Sequence, residues 1–155
     1  MSGAISWIFA ILLGAALLKA AVGDWRTRRI PNWLNAGIAL LAIPFWFAIG
    51  DNWAEMVIHT GVALFVFLLF SIPFTLGMMG GGDVKLIAAL ALWLRPEGVV
   101  QLLVVMAIAG GVLTLAMLIP HRMARTAGNP EIPYGIAIAF AGFWLIGERI
   151  LNQFV

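Results

Sequence analysis

Gly77-Met78-Met79-Gly80-Gly81-Gly82-Asp83-Val84-Lys85 sets an ionisable acid and four glycines between two long apolar runs. The run before it extends from Trp53 to Phe74, and the run after it from Leu86 to Trp93. If those runs lie in a bilayer, the stretch breaks two rules at once, because hydrocarbon penalises both buried charge and unpaired backbone. An acid kept against that penalty marks a functional site. Asp83 is placed to open a helix running to Leu94, and the glycines ahead of it let another backbone or a substrate come close.

Composition supports the bilayer. Apolar residues make up 63 % of the 155 and charged residues 10 %, and the mean hydropathy is +1.05. These values predict an all-α polytopic membrane protein. At roughly 20 residues per spanning helix, the chain holds about six transmembrane helices with short loops, in a single transmembrane domain over residues 1–155. With no cysteine there is no disulfide framework, no thiolate metal site and no cysteine nucleophile. No histidine or carboxylate cluster has metal-ligand spacing, so neither a metal nor a cofactor is expected. A net charge of +2 gives no basic footprint for nucleic acid.

Outward from the central stretch, the spans follow from apolar runs and their breaks. Ile5 to Val22 is the first, with Lys19 near its end and Asp24, Arg26, Arg28 and Arg29 just beyond. A signal peptide has its positive charges ahead of the apolar region, whereas these follow it, so the helix is read as retained. Pro31 and Asn32 restart the chain, and Trp33 to Ile49 is the second span, with Pro44 as a site for a kink. Asn52 and Glu55 have the spacing of a capping box at the head of the third span, Trp53 to Phe74, which Pro73 and Gly77 end. His59 in this span reads as a buried, hydrogen-bonded histidine. The fourth span, Asp83 to Leu94, is only about 12 residues or roughly 18 Å long. Local membrane thinning, a snorkelling Lys85, or a water-filled cavity at Asp83 must compensate. Val99 to Ile119 is the fifth span, with Gly110-Gly111 suited to close helix contact. A polar loop from His121 to Glu131 leads to the sixth, Ile132 to Ile150.

Sidedness comes from the basic residues, which collect in cytoplasmic loops. In the six-span arrangement Lys19, Arg26, Arg28, Arg29, Lys85, Arg122 and Arg125 fall on one side, and only Arg95 and Arg149 on the other. Both termini are therefore expected on the non-cytoplasmic side, with Asp24, Asp83 and the polar loop at the cytoplasmic face. Trp25, Trp33, Trp53 and Trp93 stand at span ends, as an interfacial aromatic belt would have them. The glycine run and the polar loop are expected to be the mobile segments.

Topology thus brings two acids to one membrane face. When two carboxyls share a site of low dielectric, ionising one disfavours ionising the other, and the pair can hold a single proton near neutral pH. The carboxylate can then take a proton from water while its protonated partner polarises a scissile carbonyl. Asp24 and Asp83 are the candidate catalytic residues on this reading. Set against it are a helix cap at Asp83, a charge balance at Asp24 and a mere packing role for the glycines.

These residues resemble the type IV prepilin peptidases, intramembrane aspartyl peptidases of the GxGD class. Gly80-Gly81-Gly82-Asp83 followed by Val84-Lys85 is similar to the family's GxGD motif with its hydrophobic-Lys extension. Asp24-Trp-Arg-Thr-Arg-Arg-Ile30-Pro31-Asn32 resembles the segment that carries the first catalytic aspartate. Pro133-Tyr134-Gly135 also resembles a family feature and makes those residues candidates for shaping the site. The resemblance implies cleavage of the short basic leader from prepilin-like precursors at the cytoplasmic face of the cytoplasmic membrane. Larger members carry an N-terminal region with paired cysteines, associated with N-methylation. Its absence here implies peptidase activity only, as in the small members that serve Flp/Tad-type pili. Prepilin or pseudopilin precursors and membrane lipid are the implied partners, and the pilus assembly machinery is a further candidate. An archaeal preflagellin peptidase would carry much the same motifs.

A small proton- or cation-coupled transporter is the competing function, since paired intramembrane acids also mark proton pathways. A transporter places its site near the midplane and often shows an internal repeat, whereas both aspartates here fall at one interface. Glu131, the other acid expected on that side, is an outside candidate for substrate contact.

Overall fold

A computed structural model describes residues 3–123 and 132–151, with side chains over 7–117 and 132–148. His121, Arg122, Arg125, Glu131 and Arg149, and with them the polar loop, lie outside the described side chains. Among the described residues the chain is wholly helical: α1 (Gly3–Thr27), α2 (Asn32–Ile49), α3 (Trp53–Thr75), α4 (Gly81–Ala91), α5 (Pro96–Met123) and α6 (Tyr134–Leu151). Four stretches are long and apolar enough to cross a membrane: Trp7–Thr27, Asn32–Ile49, Trp53–Thr75 and Pro96–Met117. Their outer faces carry exposed Ile11, Leu40, Val57, Leu64 and Ile108, an arrangement that water would reject and lipid accepts. The protein is an all-α polytopic membrane protein.

The short α4 is the centre of the bundle. It packs against α2, α3 and α6, and Asp83, Val84, Leu86, Ile87, Ala89, Leu90 and Ala91 are all buried. A helix that is apolar nearly all round belongs inside a protein. At 11 residues it measures about 16 Å, and its neighbours rather than lipid meet its ends. Beyond its C-terminus the chain leaves helical geometry where Trp93 is buried, and free carbonyls in a buried segment are costly. The side chains of α2 and α3 answer that need. Trp46 Nε1 donates to the Leu92 carbonyl at 2.8 Å. His59 Nδ1 lies 2.7 Å from the Leu94 carbonyl, which assigns the proton to that nitrogen, while Nε2 lies 3.2 Å from Asp51 Oδ2. The expected buried histidine is therefore a tie between α3 and the end of α4.

Local boundaries follow the expected chemistry with corrections, among them α5, which begins at Pro96 rather than Val99 and runs on to Met123, into the start of the expected loop. The Asn52–Glu55 capping box forms in both directions, at 3.1 and 2.9 Å. α1 runs to Thr27 rather than stopping near Val22, so Asp24 lies in a buried last turn instead of a following loop. α3 continues two residues past Pro73, and Gly77, at φ 70°, makes the turn. Trp25, Trp33 and Trp53 are exposed at helix ends as the aromatic belt requires, but Trp93 is not in the belt. It is buried, stacks on Phe45 at 4.8 Å and donates to the Ile38 carbonyl at 3.0 Å. A polar N–H that finds a carbonyl partner costs nothing to bury, and the indole's area then favours the core.

Candidate active site

Asp24 and Asp83 are 5 % and 9 % exposed, and both line one cavity of about 590 Å³. The cavity lies where the end of α1, the start of α2 and the start of α4 meet. Its other walls include Lys19, Arg28, Pro31, Asn32 and Gly80 to Gly82. Two acids 59 positions apart in sequence are thus delivered by two helix ends to one space.

Glycines make the approach possible. A Cβ on Gly82 would lie 3.1 Å from Ile30 Cβ and 3.2 Å from the Ile30 carbonyl, so this residue lets α4 begin hard against the turn between α1 and α2. A Cβ on Gly81 would lie 3.0 Å from the Phe74 ring, and one on Gly80 would lie 2.9 Å from Asp83 Oδ2. Asp83 does not open the helix as a cap. Gly80 is the N-cap, in extended backbone at φ −71°, and Asp83 is the third helical residue, its carboxylate turned back toward the Gly80 amide. The orphan amides of a helix start favour an anion there.

Asp24 meets a second helix start. The amides of Gly135 and Ile136, in the first turn of α6, face its carboxylate, while its Oδ2 is buried without a hydrogen-bond partner among the described residues. A Cβ on Gly135 would lie 2.8 Å from Asp24 Oδ2. Of the three residues proposed to shape the site, Gly135 alone touches an acid in this way. Pro133 is fully buried, and Tyr134 turns its ring toward Gly110 of α5, into a separate apolar groove.

Lys85 is outside the acid cavity. Its Nζ donates to Asn32 Oδ1 at 2.8 Å on an exposed face, tying α4 to the start of α2. One turn further along α2, Asn35 is buried and its Nδ2 donates to the Gly82 carbonyl at 3.0 Å. Sequence reading passed over Asn35. A polar side chain within an apolar span, three residues after Asn32, was the signal that could have found it. Its Oδ1 is buried without a partner among the described residues, so the residue carries a desolvation cost that a purely structural contact would not need. Asn35→Leu is therefore expected to leave thermal stability within about 1 kcal/mol, because one interhelical bond is lost and one unpaired acceptor is removed. Catalytic turnover should fall by about tenfold as the Gly82–Asp83 backbone loses its tether. Equal turnover in the variant, or a collapse of its melting temperature, would count against this positioning role.

Two buried carboxyls in a cavity at one end of a membrane bundle can perform general acid–base chemistry on a substrate brought to that end. The sequence model of the type IV leader peptidase family matches residues 11–115, a stretch that includes both acids and the glycine run. No curated protein sequence and no solved structure matches the chain significantly.

Proposed function

Since the chain belongs to the type IV leader peptidase family, we propose that it is an aspartyl endopeptidase of the GxGD kind that removes the short basic leader from prepilin-like precursors, with Asp24 and Asp83 as its catalytic pair. The observation that carries this reading is the convergence of the two acids, from α1 and α4, on one cavity. A water between them loses a proton to the carboxylate as its oxygen attacks the scissile carbonyl carbon. The protonated partner gives its proton to the carbonyl oxygen. Collapse of the tetrahedral diol breaks the C–N bond: the departing amine takes the proton first drawn from water, and a diol hydroxyl returns its proton to the other acid, restoring the single proton of the pair. The two macroscopic titrations belong to the pair, so neither role is assigned to one residue.

The reading extends to place and substrate. The proposed location is the cytoplasmic face of the cytoplasmic membrane, a reading that the asymmetry of Lys and Arg supports as to side. A basic leader finds no electrostatic attraction in a rim bearing Lys19, Arg28 and Arg29, so recognition rests on the apolar helix that follows the leader. Flp/Tad-type precursors, cleaved without methylation, are the proposed substrates.

The test is direct. The protein in lipid is incubated with a precursor in which a short basic leader ending in glycine precedes an apolar helix. The expected product is one new N-terminus at that junction, identified by mass. An intact precursor, together with proton flux in vesicles holding the protein, would replace this function with a transporter's.

A further inference from the structure

Arg28 sits where the chain leaves α1, and its backbone is unusual. Its φ is 53°, the left-handed region that glycine enters freely and other residues enter at a cost. The turn is an αL helix ending, closed by the Arg28 N–H donating to the Asp24 carbonyl at 2.9 Å. Glycine is the usual residue at such an ending, so a long cationic side chain is held there against backbone preference. An observed outlier of this sort motivates a functional hypothesis.

The side chain gives that hypothesis content. Arg28 lines the cavity that holds Asp24 and Asp83, and its Nη1 is buried with no hydrogen-bond partner among the described residues. A guanidinium donates only, in a planar fork, and a buried donor without an acceptor is costly. Of the other basic residues lining the cavity, Lys19 is already engaged, with Nζ 4.4 Å from the centre of the Trp33 ring, and Arg29 is exposed. A peptide lying between the two acids necessarily brings carbonyl oxygens into the same space. We propose that Arg28 is the substrate-anchoring donor of the site, its guanidinium receiving a backbone carbonyl oxygen of the precursor beside the scissile bond. A neutral carbonyl suits this role for a precursor with a basic leader, because the arginine then holds the chain without needing an acidic side chain from it.

This inference rests on the leader-peptidase reading, and its test begins from wild-type cleavage of the precursor described above. If wild type does not cleave, the function falls and Arg28 is not in question. With cleavage established, Arg28→Gly removes the guanidinium and relieves the backbone, so the variant should accumulate at least as well as wild type. Losing a charge-assisted hydrogen bond to bound substrate should raise KM by about ten- to a hundredfold, a larger change than in kcat, which the loss of a charge acting on Asp24 also touches. Added methylguanidinium should recover part of the loss, and Arg28→Lys, which keeps charge but not the fork, should fall between. An unchanged KM would overturn the proposal, and so would a loss confined to kcat or a defect that methylguanidinium leaves untouched. Should Arg28→Gly fail to accumulate, Arg28→Gln is judged by the same split between KM and kcat.

Discussion

Asp24→Asn and Asp83→Asn are each expected to stop precursor cleavage, with turnover falling by at least about 10²- to 10⁴-fold, while both variants should insert and accumulate as wild type does. Asparagine keeps the shape of the acid and removes its ability to carry a proton. Both side chains are buried, so replacing an ionisable group by a neutral amide does not add a desolvation cost and the fold should survive. The two losses are also expected to be non-additive, since residues acting as one unit fail together. For wild type the same pair predicts a bell-shaped pH dependence. With both acids protonated no base remains to activate water, and with both ionised no acid remains to protonate the carbonyl oxygen, so activity falls on either side of the singly protonated form. The measurement is cleavage of co-expressed precursor read as a mobility shift, with protein level checked in the same membranes. Wild-type cutting by either variant removes that residue from the chemistry.

Gly135→Ala carries the second large effect. The added methyl would lie 2.8 Å from Asp24 Oδ2, 2.8 Å from Ile30 Cδ1 and 2.9 Å from Asp24 Cγ. Carbon atoms do not approach that closely, so something moves. The end of Ile30 can swing aside, but Asp24 stands in a buried turn of α1 against the first turn of α6, and the acid itself must shift. Displacing a catalytic group by about 1 Å costs on the order of a hundredfold in rate, and that is the loss expected here. Gly147→Ala, on the same helix with nothing within 4 Å of the added methyl, is the control and should cut normally. A Gly135→Ala protein that is equally active would mean that the contact between α1 and α6 yields without disturbing Asp24. A protein that fails to accumulate would mean that the contact holds the bundle together instead.

Legibility differed between local and long-range features for a physical reason. Apolar runs, prolines, glycines and the Asn52–Glu55 cap are readable because each acts on its own few residues of backbone, and the structure has its helices in the order those signals give, although α1, α3 and α5 run past their expected ends. The family match spans the segments holding Asp24 and the Gly80–Asp83 run and stops short of Pro133-Tyr134-Gly135. Burial is another matter. Trp93 looked like a belt residue because its position at a span end was visible, whereas its acceptor, the Ile38 carbonyl, lies 55 positions away.

The membrane class, the order of helices and the choice of Asp24 and Asp83 as candidate acids came from the sequence alone, because hydrophobic length and isolated charge are properties of single segments. Tertiary structure decided which side chains surround those acids. Gly135 touches Asp24 although 111 positions separate them, Asn35 reaches the Gly82 carbonyl from another helix, and Arg28 turns into the cavity through a left-handed residue that no periodicity announces. Such contacts depend on how whole helices pack, and one residue's chemistry carries no record of which distant backbone will lie beside it.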